Sequence, residues 1–154
     1  MFRRVLLPLD GSPIAEQALP YAVAQAERYR SELILLRAVG FSPNSNDLSH
    51  LELGWVQEEA VNWARDYLES IATSIRTQGV AVKVAVVQEV PHKAIIQFAE
   101  ANGVDLIVIC SRGQSGASRW LMGSVADRVV RGASVPVLLV RASWQRNRRV
   151  QESE

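Results

Sequence analysis

Residues 106–109 form an uninterrupted apolar run, Leu-Ile-Val-Ile, which constrains the fold more than any other feature of the sequence. Such runs are typical of strands that helices cover on both faces of a parallel sheet, so we expect a central strand here. Apolar or β-branched runs also occur at residues 5–9, 32–39, 80–87 and 137–141. Segments with helical periodicity separate these runs. Because parallel strands need crossover connections, the alternation predicts a single α/β domain, a doubly wound five-stranded parallel sheet with helices on both faces.

The helical segments begin and end at recognisable signals, such as proline in a first turn and glycine after a last one. Pro20 lies inside the first of them, and we expect it to kink that helix. Trp55 and Trp63 lie in the longest one, and we expect them to extend its buried apolar face. Helices are expected over residues 13–30, 50–78, 91–102 and 124–131, and surface loops over residues 40–47 and 111–122.

The composition restricts the partners and the compartment. The formal net charge is +1, which disfavours nonspecific binding to nucleic acid. Nowhere do about 18 apolar residues run together, as a membrane-spanning helix requires. Cys110 is the one cysteine and ends an apolar run, so it is expected to be a buried thiol in a reducing compartment. We therefore expect a cytoplasmic protein that binds no membrane.

The end of the chain differs in character from the rest. We expect a folded domain over residues 1–142 and a polar tail over residues 143–154. The basic tail resembles a nucleic-acid patch only faintly, and a solvated tail is the simpler interpretation. A third alternative is that Trp144 packs back onto the domain.

The residues that directly follow the strands are the candidates for a binding site, because ligands of open α/β sheets bind beyond the carboxyl ends of the strands. Asp10 follows the first strand, Ala38 ends the second, and residues 110–116 follow the fourth. Gly113 and Gly116 in this last segment allow backbone amides to approach an anion closely.

Gly123 and Ser124 begin the last predicted helix. A helix N-terminus carries unsatisfied N–H groups and a partial positive charge, so it stabilises a phosphate, and we expect Arg112 to add a charge-assisted contact. The alternative is that Ser124 and Asp127 form a capping box, and one sequence is compatible with both arrangements.

Other functional classes lack their motifs in this chain. No G-x-G-x-x-G follows the first strand and no P-loop is present, which disfavours dinucleotide enzymes and phosphoryl transfer. Asp10 stands alone after that strand, where a receiver domain needs an acidic pair. His50 and His92 lack the spacing of a zinc site, and the serines lack a G-x-S-x-G elbow. We expect neither a metal site nor a catalytic residue.

Gly113, nine residues, and then Gly123-Ser124 are similar to the nucleotide motif of the universal stress protein family. That motif reads glycine, two residues, glycine, nine residues, and glycine followed by serine or threonine. Cys110 stands at its first glycine position. Other segments that resemble the family lie at residues 8–12, 91–92 and 134–140. The resemblance spans residues 4–141, and the chain is identified as a member of the ATP-binding-motif subset.

The resemblance implies strand order 3-2-1-4-5, the adenine nucleotide alpha hydrolase-like fold, and a homodimer joined through Val137 to Val140. It implies bound ATP, with or without Mg²⁺, whose nucleoside meets Asp10 and whose base borders Ala38. The phosphates would lie at the motif glycines. The implied nucleotide-binding residues are Pro8, Leu9, Asp10, Ala38, Ile109, Cys110, Ser111, Arg112, Gly113, Gly116, Gly123, Ser124 and Val125.

Two functions follow from these expectations. The first is a nucleotide-binding regulatory protein of the stress response with little or no ATP turnover. The alternative is a nucleotide-free interaction module of the same fold, in which the side chain of Cys110 closes the phosphate pocket. For the dimer, the alternative is a monomer in which the Trp144 tail folds over the last strand.

Overall fold

The computed structural model describes residues 1–40, 50–112 and 122–143. Within these ranges the chain forms one parallel sheet in the order β3-β2-β1-β4-β5, which confirms the predicted architecture. All four pairs of neighbouring strands are parallel. The strands are β1 (Arg4–Pro8), β2 (Glu32–Ala38), β3 (Val82–Val87), β4 (Leu106–Cys110) and β5 (Val137–Val140).

Helices cover both faces of the sheet. One hydrophobic cluster joins α1 and α2 to one face, and a second joins α3 and α4 to the other. A 3-10 helix, Ala15–Ala18, precedes α1. No helix in the described part of the chain is long and apolar enough to cross a membrane. The α-helices are α1 (Leu19–Tyr29), α2 (His50–Arg76), α3 (Pro91–Ala101) and α4 (Ser124–Gly132).

Strand β4 is buried over its whole length, as its apolar run predicted. Because side chains alternate across a strand, Val108 packs in the cluster under α1 and α2, whereas Ile107 and Ile109 pack in the cluster under α3 and α4. Each side chain of the run is thus covered by a helix layer. This explains why the segment has no polar face.

The kink expected at Pro20 is wrong. Residues 15–18 form the 3-10 helix, and α1 begins only at Leu19, so Pro20 occupies its first turn. A proline in that turn removes no intrahelical hydrogen bond, because the N–H groups of a first turn have no partner in the helix. The sequence signal was that of a helix start.

The expected burial of Trp55 and Trp63 is also wrong. Trp55 is 70% exposed and Trp63 is 77% exposed. Helix α2 has 27 residues and is about 40 Å long, roughly twice the length of β3 beside it. Only its second half reaches the sheet, where Ala64, Leu68 and Ala72 recur at four-residue spacing and are buried.

Candidate functional site

A cavity of about 400 Å³ opens at the carboxyl edge of the sheet, over β1, β2 and β4. The strand order reverses there, because the chain proceeds from β1 outward to β2 and from β4 outward to β5. Ligands of open α/β sheets bind at such a switch point. The volume lies in the range of small-molecule sites.

The cavity wall brings together most of the residues that the sequence analysis proposed. Ser111 is not on the wall, and Gly113 and Gly116 lie outside the described residues. The predicted residues on the wall are Pro8, Leu9, Asp10, Ala38, Ile109, Cys110, Arg112, Gly123, Ser124 and Val125.

Ser111 instead connects the elements around the cavity. Its backbone N–H donates to the Val140 carbonyl at 2.7 Å, and its Oγ accepts the Ala142 N–H at 2.9 Å. Its carbonyl accepts the Gly123 N–H at 2.7 Å. Ser111 thereby fixes the end of β4 relative to β5 and to the start of α4.

Asp10 is held by the turn that follows β1. Its Oδ1 accepts hydrogen bonds from the Ser12 N–H at 2.9 Å and from the Ser12 hydroxyl at 2.6 Å. The Ser12 Oγ also accepts the Ala15 N–H at 3.1 Å and so caps the 3-10 helix. This arrangement positions a carboxylate on the cavity wall.

The start of α4 has no side-chain cap among the described residues. Gly123 is the N-cap, and the Asp127 N–H donates to the Gly123 carbonyl at 2.9 Å. The Asp127 carboxylate pairs with Arg131 at 3.0 Å, so the capping box considered for Ser124 and Asp127 is not formed. Among the described side chains, none caps the first N–H groups of α4, and such groups bind anions.

Arg112 places a guanidinium on the same side of the cavity. The residue is only 8% exposed, which is unusual for arginine. It lines the cavity together with Gly123 and Ser124 at the start of α4. A buried cation beside a helix N-terminus makes this part of the wall strongly favourable for a negative group.

Cys110 occupies the first motif position as a free, buried thiol. It lines the cavity at the end of β4, yet it belongs to the hydrophobic cluster under α1 and α2. The opposite cluster contains Ile109, Val125 and Ala126, which also line the cavity. The thiol therefore packs against the core as well as against the cavity.

The wall also contains residues that the sequence analysis missed. Arg37 directly precedes Ala38, and Pro91 opens the helix after the third strand, so the rule that sites follow strand ends could have found both. Ala15, Ile95 and Ala126 lie on helices, and no local sequence signal marks them. The missed residues are Ala15, Leu36, Arg37, Pro91, Ile95 and Ala126.

Arg37 connects the cavity wall to α2. Its guanidinium carbon lies 5.3 Å from the centroid of the Tyr67 ring, a cation–π contact. Gly11 has φ of +86°, and a Cβ there would lie 3.2 Å from the Arg37 Nη1. Glycine at this position therefore permits both the left-handed turn after β1 and the close approach of Arg37.

Tyr67 in turn connects α2 to the 3-10 helix. Its hydroxyl donates to the Glu16 Oε1 at 2.7 Å. Burial, followed by this hydrogen bond, raises the pKa of Tyr67 far above its usual range. The phenol stays protonated and serves as a structural donor behind the cavity.

The described residues contain no group of three or more histidine, cysteine, aspartate or glutamate side chains that could hold a metal ion. Over residues 1–40, 50–112 and 122–143, the wall offers the Asp10 carboxylate, the guanidinium groups of Arg37 and Arg112, the Ser124 hydroxyl and backbone amides. This set suits a ligand that carries both polar hydroxyl groups and negative charge.

A doubly wound sheet with a cavity at its switch point is built like the small-ligand-binding α/β proteins. The sequence model of the universal stress protein family matches residues 1–141, and the chain belongs to this family. The family assignment made from the motif is thus confirmed.

The chain is similar to universal stress proteins from several organisms. It is 31% identical over 149 residues to YxiE of Bacillus subtilis, covering 92% of this chain and all of that protein. The solved structure of MJ0577 of Methanocaldococcus jannaschii superposes with a TM-score of 0.84 at 28% identity, covering 94% of this chain and 99% of the other.

Three solved universal stress proteins that share the fold were determined with bound nucleotides. They are complexes with cAMP, with AMP (from Arabidopsis thaliana) and with dAMP (from Archaeoglobus fulgidus). Their identities to this chain are 24%, 18% and 22%, with TM-scores of 0.70, 0.66 and 0.59. In the same order, the matches cover 92%, 92% and 90% of this chain, and 99%, 92% and 97% of the three solved chains.

Proposed function

We propose that the cavity binds an adenine nucleotide, ATP in particular, and that the protein acts as a regulator whose partner affinity changes with nucleotide occupancy. The observation that carries the proposal is the distribution of polar groups along the cavity. Arg112 and the start of α4, which has no side-chain cap, lie on the β4 side. The β2 side has the apolar Leu36 and Ala38 together with Arg37, whose guanidinium contacts the Tyr67 ring.

The apolar side of the cavity suits the base. Leu36, Ala38 and Ile95 line it, and Leu36 and Ile95 belong to the cluster under α3 and α4. Strands β2 and β4 are separated by β1, so the two sides of the cavity are about 10 Å apart. A nucleotide spans such a distance from base to phosphates, and Asp10 on β1 would meet the nucleoside between them.

The β4 side suits the phosphates. Backbone N–H groups of residues 124 and 125 begin α4 beside Gly123, and the buried Arg112 guanidinium adds a full positive charge. If Mg²⁺ accompanies the nucleotide, Asp10 and Ser124 supply the oxygen ligands that the described wall offers to it. Neither group is arranged as an activated nucleophile or base, so we expect little turnover.

Cys110 does not favour the nucleotide-free alternative. Its thiol packs in the core cluster under α1 and α2, and Val125, on the opposite cluster, faces the same cavity. A thiol is small, and the cavity retains about 400 Å³ with it in place. Three universal stress proteins with this fold were solved with cAMP, AMP and dAMP, which supports an adenine nucleotide as the ligand.

We further propose a cytoplasmic homodimer joined through β5. This strand lies at the edge of the sheet, and Val137, Leu138 and Leu139 remain partly exposed along it. An apolar edge strand is a template for pairing, and a two-fold axis would set two copies of β5 side by side.

Binding to the purified protein tests the proposed function. The protein is first denatured and extracted, and any released nucleotide is identified by chromatography. Nucleotide-free protein is then titrated with ATP, AMP, GTP and adenosine. We expect ATP to bind more tightly than GTP, because the β2 side fits the base, and more tightly than adenosine, because Arg112 and α4 need a phosphate. Failure of the folded protein to bind any adenine nucleotide would support the nucleotide-free module instead.

A further inference from the structure

The first half of α2 projects beyond the sheet and carries exposed apolar side chains. None of the residues 54–63 is buried, and Ala64 is the first residue of the described side chains of α2 that enters the core. Trp55, Val56 and Trp63 are 70%, 55% and 77% exposed. We call residues 54–66 the α2 arm. A soluble protein rarely presents two tryptophans on one projecting helix without a surface that covers them.

Val56 and Trp63 of the α2 arm share one side of the helix with Tyr67, whereas Trp55 lies about a third of a turn away. Trp63 precedes Tyr67 by four residues and Val56 precedes Trp63 by seven, and residues at these spacings lie above one another on a helix. Because the Tyr67 hydroxyl bonds to Glu16, this side faces the 3-10 helix. Val56 and Trp63 therefore continue the same side outward, past the edge of the sheet.

Ser143, the last residue that the structure describes, is also held by the 3-10 helix. Gln17, next to Glu16 in the 3-10 helix, donates from Nε2 to the Ser143 carbonyl at 2.9 Å. Its Oε1 accepts the Ser143 N–H at 2.8 Å and lies 3.3 Å from the Ser143 Oγ. These contacts hold Ser143 beside the 3-10 helix, whose Glu16 accepts the hydrogen bond from Tyr67 of α2.

The charges of the α2 arm and of the following residues are complementary. Glu58, Glu59 and Asp66 are exposed on the arm, with Arg65 as the one exposed cation. Residues 144–149 read Trp-Gln-Arg-Asn-Arg-Arg, with no acidic residue. They thus combine an aromatic side chain at the attached end with three arginines further along. Arginine also stacks on tryptophan, so it can contact both the carboxylates and the exposed indoles.

The length of this segment matches the arm. Six residues in extended conformation span about 20 Å. The distance along the helix axis from Tyr67 to Val56 is about 16 Å. An extended segment of six residues is therefore long enough to cover the side of the arm from Tyr67 to Val56.

We propose that residues 144–149 dock on the α2 arm of the same chain, with Trp144 against Trp63 and the arginines beside Glu59 and Asp66. This contact would cover the exposed apolar side of the arm and link the end of the chain to a helix that begins at the binding edge of the sheet. This docking does not depend on the proposed nucleotide binding.

The indole N–H signals of the ¹⁵N-labelled protein test this docking, after assignment by Trp→Phe variants. The Trp63 signal should move when the chain is ended after Ser143. The Trp63 signal should move in the same direction when Arg146, Arg148 and Arg149 of the full chain are replaced by glutamate. It should also move in that direction in about 1 M salt, because salt screens ion pairs at the surface. The charge-reversed variant keeps the test valid if the shortened chain does not fold.

Two controls complete the experiment. The backbone N–H signal of Val104, at the opposite edge of the sheet, should keep its position in every variant. The Trp63 indole signal should also keep its position in Tyr21→Ser, which removes an exposed aromatic side chain from α1. A Trp63 signal that stays unchanged in both tail variants would overturn the docking. Labelled shortened chain can also be refolded with unlabelled full chain. If this restores the original Trp63 signal, the tail comes from a second copy, and the same-chain proposal is wrong.

Discussion

The backbone N–H of Gly123 donates to the carbonyl oxygen of Ser111 at 2.7 Å, so the residue after β4 and the residue before α4 are in direct contact. This hydrogen bond brings the two ends of residues 112–122 together at the cavity. It places the start of α4 on the same cavity as Arg112, although Ser124 is twelve residues from Arg112 in sequence. The anion-favouring side of the cavity depends on this contact.

Arg112→Gln should weaken ATP binding by about ten-fold, because a charge-assisted contact in a buried site contributes roughly 1–2 kcal/mol. Adenosine binding should change little, since adenosine has no phosphate for the guanidinium to meet. Titration calorimetry with both ligands measures the difference. Arg131→Gln, which removes an exposed arginine from α4, is the matched control. Equal losses for ATP and adenosine would argue against a phosphate at Arg112.

Cys110→Gly should leave ATP affinity unchanged or strengthen it a few-fold, because the thiol already packs against the core and its removal only widens the cavity. The same change should lower the free energy of unfolding by about 1 kcal/mol or more, because a buried side chain is lost from a strand and glycine is added to it. Calorimetry and chemical denaturation measure the two effects. A large loss of ATP affinity in folded protein would show that the thiol takes part in recognition.

The unmodified protein should be a dimer at micromolar concentration, as measured by light scattering. Leu139→Asp should produce a monomer, because a carboxylate in the β5 edge cannot be paired across a two-fold axis. Since Leu139 also packs against the core, circular dichroism must show that the variant is folded. Val130→Asp, a change at a half-exposed apolar residue of α4, should remain dimeric. A monomeric unmodified protein would exclude the proposed interface.

Asp105 should make stability depend on pH. Its Oδ2 accepts the backbone N–H groups of Arg3 at 2.7 Å and Arg4 at 2.9 Å, and these bonds, first that of Arg4, lower the pKa of the carboxyl. A pKa that is lower in the folded state contributes stability above the unfolded value, about 4, and loses it as pH falls through the folded value.

Asp105→Asn should therefore lower the free energy of unfolding at neutral pH by about 1 kcal/mol or less, since the site is exposed. The difference from the unmodified protein should shrink below about pH 4. Denaturation at several pH values measures it, with Glu27→Gln on α1 as the control. A difference that stays constant with pH would mean that the carboxylate charge is not involved.

The sheet could be predicted from the sequence because its signals are local. The apolar run of β4 and the Gly123-Ser124 helix start each depend on a few adjacent residues, and each lies where it was expected. Their common location at one edge follows from the rule that sites form at strand ends. The position of the Gly123-Ser124 helix start at this edge was therefore predictable from the sequence.

The remaining features depend on contacts between distant segments. Trp63 matches the helical spacing of the apolar residues in α2, and this spacing predicts a buried side chain. It does not reveal that α2 extends beyond the sheet, where Trp63 is exposed. Pro20 reads as an interruption unless the 3-10 helix before it is recognised. Arg37 contacts Gly11 and Tyr67, which are distant from it in sequence, and no local pattern predicts these contacts.

Titration of ATP into Gly123→Val tests the central claim most directly. The Gly123 backbone has φ −60° and ψ 151°, which valine adopts without strain, so the fold should persist. The added side chain would stand at the start of α4, where the phosphates are proposed to meet the N–H groups. Gly54→Val, at an exposed position of α2 with nothing within 4 Å of the added Cβ, is the matched control. We predict normal ATP binding by Gly54→Val and none by Gly123→Val, whereas unchanged affinity in a folded Gly123→Val protein would contradict the proposed site.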